Sequence, residues 1–295
     1  MKPNYSLAFF LILAACNAQQ KPVIAEGAEL TLVASDYSFT EGPAADPSGD
    51  VYFTDQPNDR ILKWSAADGT VSVYMEPAGR ANGLYVDQNG NLLACADEKF
   101  QLWQISPDKQ VTVLVDGFEG KDLNGPNDLW VAPGGGIYFT DPYYQRPYWD
   151  RTEPDIEQQR VYYLSPDKKE LRIVADDLVQ PNGIIGSPDG STLYVADIGD
   201  KKTYAYGIAM DGSLTGKTLV TEMGSDGMTL DSMGNLYLTG DGVTIFDKGG
   251  EKIAHIPVPQ KWTANVTFGG PGQKTLFITA MNAVYTLEMN VHGIR

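Results

Sequence analysis

Asn182-Gly183-Ile184-Ile185-Gly186, then Pro188-Asp189-Gly190, then Leu193-Tyr194-Val195-Ala196-Asp197: two short apolar runs joined by turn residues are the unit from which the fold is read. Runs of about four to six residues rich in Val, Ile, Tyr and Thr, separated by Pro, Asp, Asn and Gly, make β-hairpins, because the turn residues supply the backbone angles that the apolar ones avoid. The same unit recurs from Glu41-Gly42-Pro43 to Val51-Tyr52-Phe53-Thr54-Asp55, from Asn82-Gly83-Leu84 to Ala96-Asp97, and from Asn127-Asp128-Leu129 to Ile137-Tyr138-Phe139-Thr140-Asp141. Two further copies run from Asp226-Gly227-Met228 to Thr239-Gly240 and from Asn265-Val266-Thr267 to Thr279-Ala280. Repetition at roughly 40 to 50 residues signals a propeller or a solenoid. Further strands between the copies, such as Ile61–Trp64, Leu102–Ile105, Val161–Leu164 and Val243–Phe246, bring each unit to four. The expected fold is all-β: a six-bladed β-propeller of four-stranded antiparallel blades around a central channel. The strand near Leu30 to Val33 is expected to complete the last blade, whose edge would otherwise stay open.

With 42 % hydrophobic and 20 % charged residues among 295, the chain can bury a large core as one undivided all-β domain. Its formal net charge of −16 repels phosphate backbones and anionic membrane surfaces, so nucleic acid is not an expected partner. Lys2 followed by an apolar run from Leu7 to Ala15, too short to span a bilayer, reads as a signal peptide over 1–15. Its end, Leu13-Ala14-Ala15-Cys16, resembles the bacterial lipobox, which implies a mature chain that starts at a lipidated Cys16. Residues 16–28 then form a tether and 29–295 the propeller. The expected location is the bacterial cell envelope, on the periplasmic face, with the membrane reached only through the lipid. Asn17 lacks the aspartate linked with inner-membrane retention, which favours the outer membrane. Cys95, in an apolar stretch, has no partner for a disulfide in the mature chain and reads as a small buried hydrophobe.

Each copy opens on a polar residue: Glu41, Asn82, Asn127, Asn182, Asp226 and Asn265. Equivalent positions in a propeller lie at equivalent depth, so these six side chains are expected to converge on the channel. Unpaired carboxylates buried there carry a desolvation penalty of several kcal/mol. A hard cation removes that conflict, and calcium takes six to eight oxygen ligands from carboxylates, amide carbonyls and water. The metal reading is strongest for Glu41, Asn127, Asn182 and Asp226. Asn82 and Asn265 divide evenly between lining the pocket and capping their own strands. Magnesium and manganese also suit an oxygen-rich site. Zinc suits it less, because His255 and His292 are isolated.

These residues sit in motifs that resemble the senescence-marker-protein, gluconolactonase and luciferin-regenerating-enzyme family. The motifs are Glu41-Gly42-Pro43, Asn124-Gly125-Pro126-Asn127-Asp128, Phe139-Thr140-Asp141-Pro142, Pro181-Asn182-Gly183, Ser225-Asp226-Gly227-Met228 and Asn265-Val266-Thr267-Phe268-Gly269-Gly270. The resemblance covers essentially the whole mature chain and is nearest to bacterial gluconolactonases. It implies a calcium-dependent propeller in which Glu41, Asn182 and Asp226 bind the metal, Asn127 binds metal or substrate, and Asp226 is also the acid–base group. Bacterial members often carry Cys-Glu-His where this chain has Cys95-Ala96-Asp97, which leaves any pocket role of that histidine to Asp97.

The implied reaction is hydrolysis of a sugar lactone to the aldonic acid, with the small-molecule lactone oriented by Asn127, Asn82 and Asn265. There is no Gly-x-Ser-x-Gly elbow, and two isolated histidines argue against a Ser-His-Asp triad. The interval between Asn127 and Asn182 is lengthened by 142–160, which holds Tyr143, Tyr144, Arg146, Tyr148, Trp149 and Arg151. It reads as a lid or specificity loop, with Tyr143 and Arg146 as its substrate-binding candidates, or else as a solvated insertion. A phosphotriesterase on the same metal site and a non-catalytic binding propeller are the rival readings. The sequence leaves the oligomeric state open.

Overall fold

The hairpin turns are built by the aspartates that open them. In the computed structural model, which describes residues 22–294, Asp46 Oδ1 accepts the N–H groups of Ser48 at 2.8 Å and Asp50 at 3.2 Å. Asp87 Oδ1 does the same for Asn89 and Asn91 at 2.8 Å, and Asp231 Oδ1 for Met233 and Asn235 at 2.9 Å. A short side-chain acceptor thus substitutes for a backbone one and reverses the chain. The leader and Cys16 lie outside the described residues.

The strands assemble into six four-stranded antiparallel sheets. From the axis outward, blade 1 comprises Thr40–Ala45, Val51–Asp55, Arg60–Trp64 and Val71–Met75, and blade 2 Ala81–Val86, Leu92–Ala96, Gln101–Ile105 and Val111–Val115. Blade 3 comprises Leu129–Val131, Ile137–Asp141, Arg160–Leu164 and Leu171–Ala175, and blade 4 Pro181–Gly186, Thr192–Asp197, Lys202–Ile208 and Leu214–Thr221. Blade 5 comprises Met228–Leu230, Leu236–Gly240, Gly242–Phe246 and Lys252–Ile256. Blade 6 takes Asn265–Gly269, Thr275–Ala280 and Ala283–Glu288 from the end of the chain and Thr31–Ala34 from its beginning, with Thr31 opposite Thr286 and Leu32 opposite Tyr285. The six-bladed fold and its closure by the N-terminal strand are as expected from the repeat.

The core lies between blades, where neighbouring sheets pack face to face. Phe53 and Trp64 of blade 1 meet Phe277 of blade 6, each pair with ring centroids 5.5 Å apart. Trp130 of blade 3 lies so close to Gly186 of blade 4 that a β-carbon there would stand 2.2 Å from the indole. Cys95 is fully buried and free, as its apolar setting predicts, and burial pushes its thiol well above the usual range. His255, bonded to Thr244, and His292, beside its neighbour's carbonyl, are both exposed, and among the described residues neither belongs to a group that could hold a metal ion.

Threonine hydroxyls tie blade to blade at the inner ends. Thr54 Oγ1 of blade 1 donates to the Asn82 carbonyl at 3.1 Å, and Thr140 Oγ1 of blade 3 donates to the Asn182 carbonyl at 2.7 Å. Thr239 Oγ1 of blade 5 donates to the Ala264 carbonyl, just before blade 6, at 2.8 Å. Thr140 also accepts the Asp128 N–H at 3.2 Å, so one hydroxyl sets the backbone of two axial positions. Replacing Thr140 by Val keeps the shape and strands both partners; equilibrium denaturation should show a loss of about 1–3 kcal/mol.

Candidate active site

Five of the six polar residues stand where the regular ladder of their blade gives out, whereas Asn265 opens an unbroken ladder opposite Thr279. In blades 1, 2 and 4 the register shifts between Glu41 and Ala44, between Ala81 and Leu84, and between Pro181 and Ile184. In blades 3 and 5 the innermost strand begins only after Asn127 and Asp226, at Leu129 and Met228. Such irregularities bend the strand and re-aim one side chain. The residue after the polar one is Gly42, Gly83, Gly183 or Gly227 in four blades, because another blade arrives there. A β-carbon on Gly83 would stand 2.5 Å from the Asn127 carbonyl oxygen, and one on Gly227 would overlap the Asn265 side chain at 1.9–2.4 Å.

The structure brings four of the six into one interacting group. Asn182 Nδ2 donates to Asp226 Oδ1 at 2.8 Å and to Tyr144 Oη at 2.9 Å. Both amide hydrogens are thereby engaged, which leaves the amide oxygen of Asn182 as a free acceptor. The second oxygen of Asp226 accepts the Trp262 indole N–H at 2.6 Å. Glu41 is 3 % exposed and interacts electrostatically with Asp226, with Asp128 and, through a side-chain hydrogen bond, with Asn265. Asn265 Nδ2 also reaches Asp128 Oδ2 at 3.3 Å, a bond between blades 6 and 3 on opposite sides of the ring. The remaining two are placed by backbone bonds: Asn127 through Thr140 O at 2.9 Å and Gly83 N at 2.7 Å, and Asn82 through Thr54. Their side chains make no hydrogen bond to the rest of the ring among the described residues.

Burial sets the electrostatics. It lifts the Glu41 carboxyl well above its ordinary value, and the charge of Asp226 raises it further. It lifts Asp128 to about 7. Asp226 is likewise pushed up to about 6 by burial, held back by its bonds to Trp262 and Asn182 and by the charge of Arg146. Among the described residues no cluster of three or more His, Cys, Asp or Glu side chains is arranged to hold a metal ion. The donor set that the ring does offer is two desolvated carboxylates, Glu41 and Asp226, with the free amide oxygen of Asn182 beside them. Hard oxygen donors bearing uncompensated negative charge fit a divalent cation such as calcium in chemistry.

The loop 142–160 places its members unequally. Tyr143 turns its hydroxyl to Gln145 and packs its ring against Trp149, whereas Tyr144 reaches Asn182. Arg146 lies 5.3 Å from the Tyr144 ring centre and acts on Asp226 through its charge. Three partners of the ring were not singled out from sequence. Asp128 has a visible signal, since blade 3 carries Asp where four other blades carry Gly. Tyr144 is adjacent to the residue chosen in its place, and Trp262 lies in the connection between blades 5 and 6, outside the repeat.

A six-bladed propeller with acidic and amide side chains gathered at the inner strand ends defines a class of channel-site propellers. Within it, this chain belongs to the SMP-30/gluconolactonase/LRE-like family, whose pattern matches residues 39–282. It is similar to a gluconolactonase of Zymomonas mobilis, at 31 % identity over 90 % of this chain and 82 % of that protein. The solved structure of a Xanthomonas campestris gluconolactonase superposes with a TM-score of 0.83 at 33 % identity, covering 91 % of this chain and 94 % of that one. The calcium-binding regucalcin of Agrobacterium tumefaciens shares the fold, with a TM-score of 0.76 at 21 % identity over 90 % of this chain and 95 % of that one.

The glycine at 227 supplies a direct test of the packing. Gly227→Ala should expel Asn265 from its bond to Asp128 and cost about 1–3 kcal/mol in a denaturant titration.

Proposed function

We propose that this propeller is a gluconolactonase-like hydrolase that opens the ring of a sugar lactone at the inner channel mouth, with calcium as its cofactor. Kinship with gluconolactonases over nearly the whole chain supports the reaction class. The observation that carries the site is the pair of buried carboxylates, Glu41 and Asp226, both lifted by burial and Glu41 further by the charge of Asp226, beside the free oxygen of Asn182.

Glu41, Asn182, Asp226 and Asn127 would hold the ion. When bound, calcium supplies positive charge next to the lactone carbonyl, where negative charge develops in the tetrahedral transition state. The protein's own part is orientation and proton transfer. Asn127 and Asn82 present amide groups to the sugar hydroxyls, and Arg146 contributes a cation at the mouth, whereas Asn265 is committed to Asp128 and to the N–H of Val266 on its own strand. Water adds to the carbonyl carbon and loses its proton to Asp226; the bond to the ring oxygen breaks, and that proton passes to the leaving oxygen. A bound cation would lower the basicity of Asp226, whose two oxygens accept hydrogen bonds from Asn182 and Trp262. The product is the aldonic acid, with no covalent enzyme intermediate.

Turnover of an aldonolactone panel, with and without chelator, tests this reading. Activity is expected to vanish with chelation and return with calcium. An intact protein that binds calcium and hydrolyses no lactone would instead be a binding propeller, and one that hydrolyses only phosphotriesters a phosphotriesterase. Glu41→Gln and Asp226→Asn should each lower kcat/KM by about 100-fold or more. In the metal-free protein Glu41→Gln should raise the thermal midpoint, because it removes a carboxylate whose charged form is penalised by burial. The lipid anchor at Cys16 and the envelope location are proposed from the leader alone. Incorporation of labelled fatty acid should disappear in Cys16→Ser.

A further inference from the structure

Four blades place an aspartate at the end of the second strand: Asp55, Asp141 and Asp197 are its last residue, and Asp97 directly follows Ala96 as the first residue of a short 3-10 turn. In three of them the carboxylate does the same work, binding two successive N–H groups of the chain that enters the same blade. Asp55 accepts from Ser38 and Phe39 at 2.9 and 3.2 Å, Asp141 from Asn124 and Gly125 at 2.9 and 2.8 Å, and Asp197 from Val179 and Gln180 at 2.8 Å each. Asp97 departs from this pattern. The chain entering blade 2 is served by Asp59 instead, whose Oδ1 accepts from Ala78 at 2.9 Å and Arg80 at 2.7 Å.

Released from that duty, Asp97 faces the loop 142–160. It is 2 % exposed; its Oδ2 accepts the Tyr148 hydroxyl at 2.5 Å and pairs with Arg146 Nε at 3.4 Å. Among the described residues it is the one hydrogen-bond acceptor that blade 2 offers this loop, although Phe100 also packs on Trp149 and Arg151, and Arg80 on Tyr148. Three residues past Tyr148, Arg151 fastens the middle of the loop to the chain entering its own blade by donating to the carbonyls of Leu123 and Asn124. Two residues before Arg146, and next to Tyr143, whose backbone is bonded to Gln159 and Gln180, stands Tyr144, whose hydroxyl accepts one hydrogen of Asn182 and so fixes which way that amide points.

We propose that Asp97 is a positioning residue, which acts through Tyr148 and Arg146 to hold the loop across the channel mouth so that Tyr144 keeps the Asn182 amide oxygen free for the site. The inference rests on the functional reading above for what Asn182 does, and on geometry alone for the fastening. A buried carboxylate that binds no backbone N–H of its own blade and spends its acceptors on a neighbouring blade's loop restrains that loop more than it stabilises its own sheet.

Hydrogen exchange on the full chain separates the two parts. Asp97→Ala and Tyr148→Phe should speed amide exchange within 142–160 by about 10- to 100-fold while the strands of the six blades keep their protection. On glucono-δ-lactone both variants should lose about 10- to 100-fold in kcat/KM, and calorimetry should show weaker calcium binding. Asp97→Asn, which keeps an acceptor for Tyr148, should recover part of the loss, and Asp97→Ala/Tyr148→Phe should be no worse than Asp97→Ala. Unchanged exchange in 142–160, exchange that rises in every blade, or multiplicative losses in the double variant would each overturn the proposal, as would faster loop exchange with turnover and calcium affinity intact. If Asp97→Ala does not fold, Tyr148→Phe decides by the same measurements. A wild-type protein without lactonase activity would overturn the functional reading, and loop exchange with calcium affinity would still decide the fastening.

Discussion

Two carboxylates, Glu41 and Asp226, are held out of water within electrostatic reach of each other, and the inner architecture serves that contact. Left alone, such a pair is costly, because desolvation and like charge both penalise the ionised state. The surroundings offset part of the cost for Asp226, which accepts one hydrogen bond on each oxygen, from Asn182 and from Trp262. Glu41 receives less, a bond from the Gly42 N–H at 2.9 Å and contact with Asn265. A cation would compensate both at once.

Holding these groups together requires backbones to approach closely at the axis. Glycine after the polar residue in four blades opens the space, and threonine hydroxyls fill the remaining hydrogen bonds between neighbouring blades. Thr140 joins these two functions, since it fixes the backbone at both Asp128 and Asn182. Stability and chemistry therefore share atoms here. A substitution meant to probe the one disturbs the other, and relief of the axial charge should strengthen the fold while removing its activity.

The blades are copies that have diverged at the points where function acts. Blade 3 replaces the axial glycine with Asp128 and extends its connection into 142–160, and blade 2 commits the buried Asp97 to that extension. The asymmetry gathers on one side of the channel, where Arg146 acts on both Asp97 and Asp226. A symmetric ring would bind an ion; a sugar lactone, with distinct faces and substituents, needs an asymmetric wall.

Much of this was legible in the residues alone. A repeat of apolar runs and turn residues specifies hairpins locally, and six copies close a ring, so the fold and the N-terminal closing strand followed from spacing. Contacts between residues in different copies did not, because they depend on how far each blade twists and where its loops land. Nothing in the repeat announces that Trp262 caps Asp226, that Tyr144 and not Tyr143 reaches Asn182, or that Asp97 abandons the role of Asp55, Asp141 and Asp197. Sequence determines which groups each blade carries to the axis through its own short-range periodicity. Only the tertiary structure decides which of them touch, since those partners are brought together by ring closure across long stretches of chain.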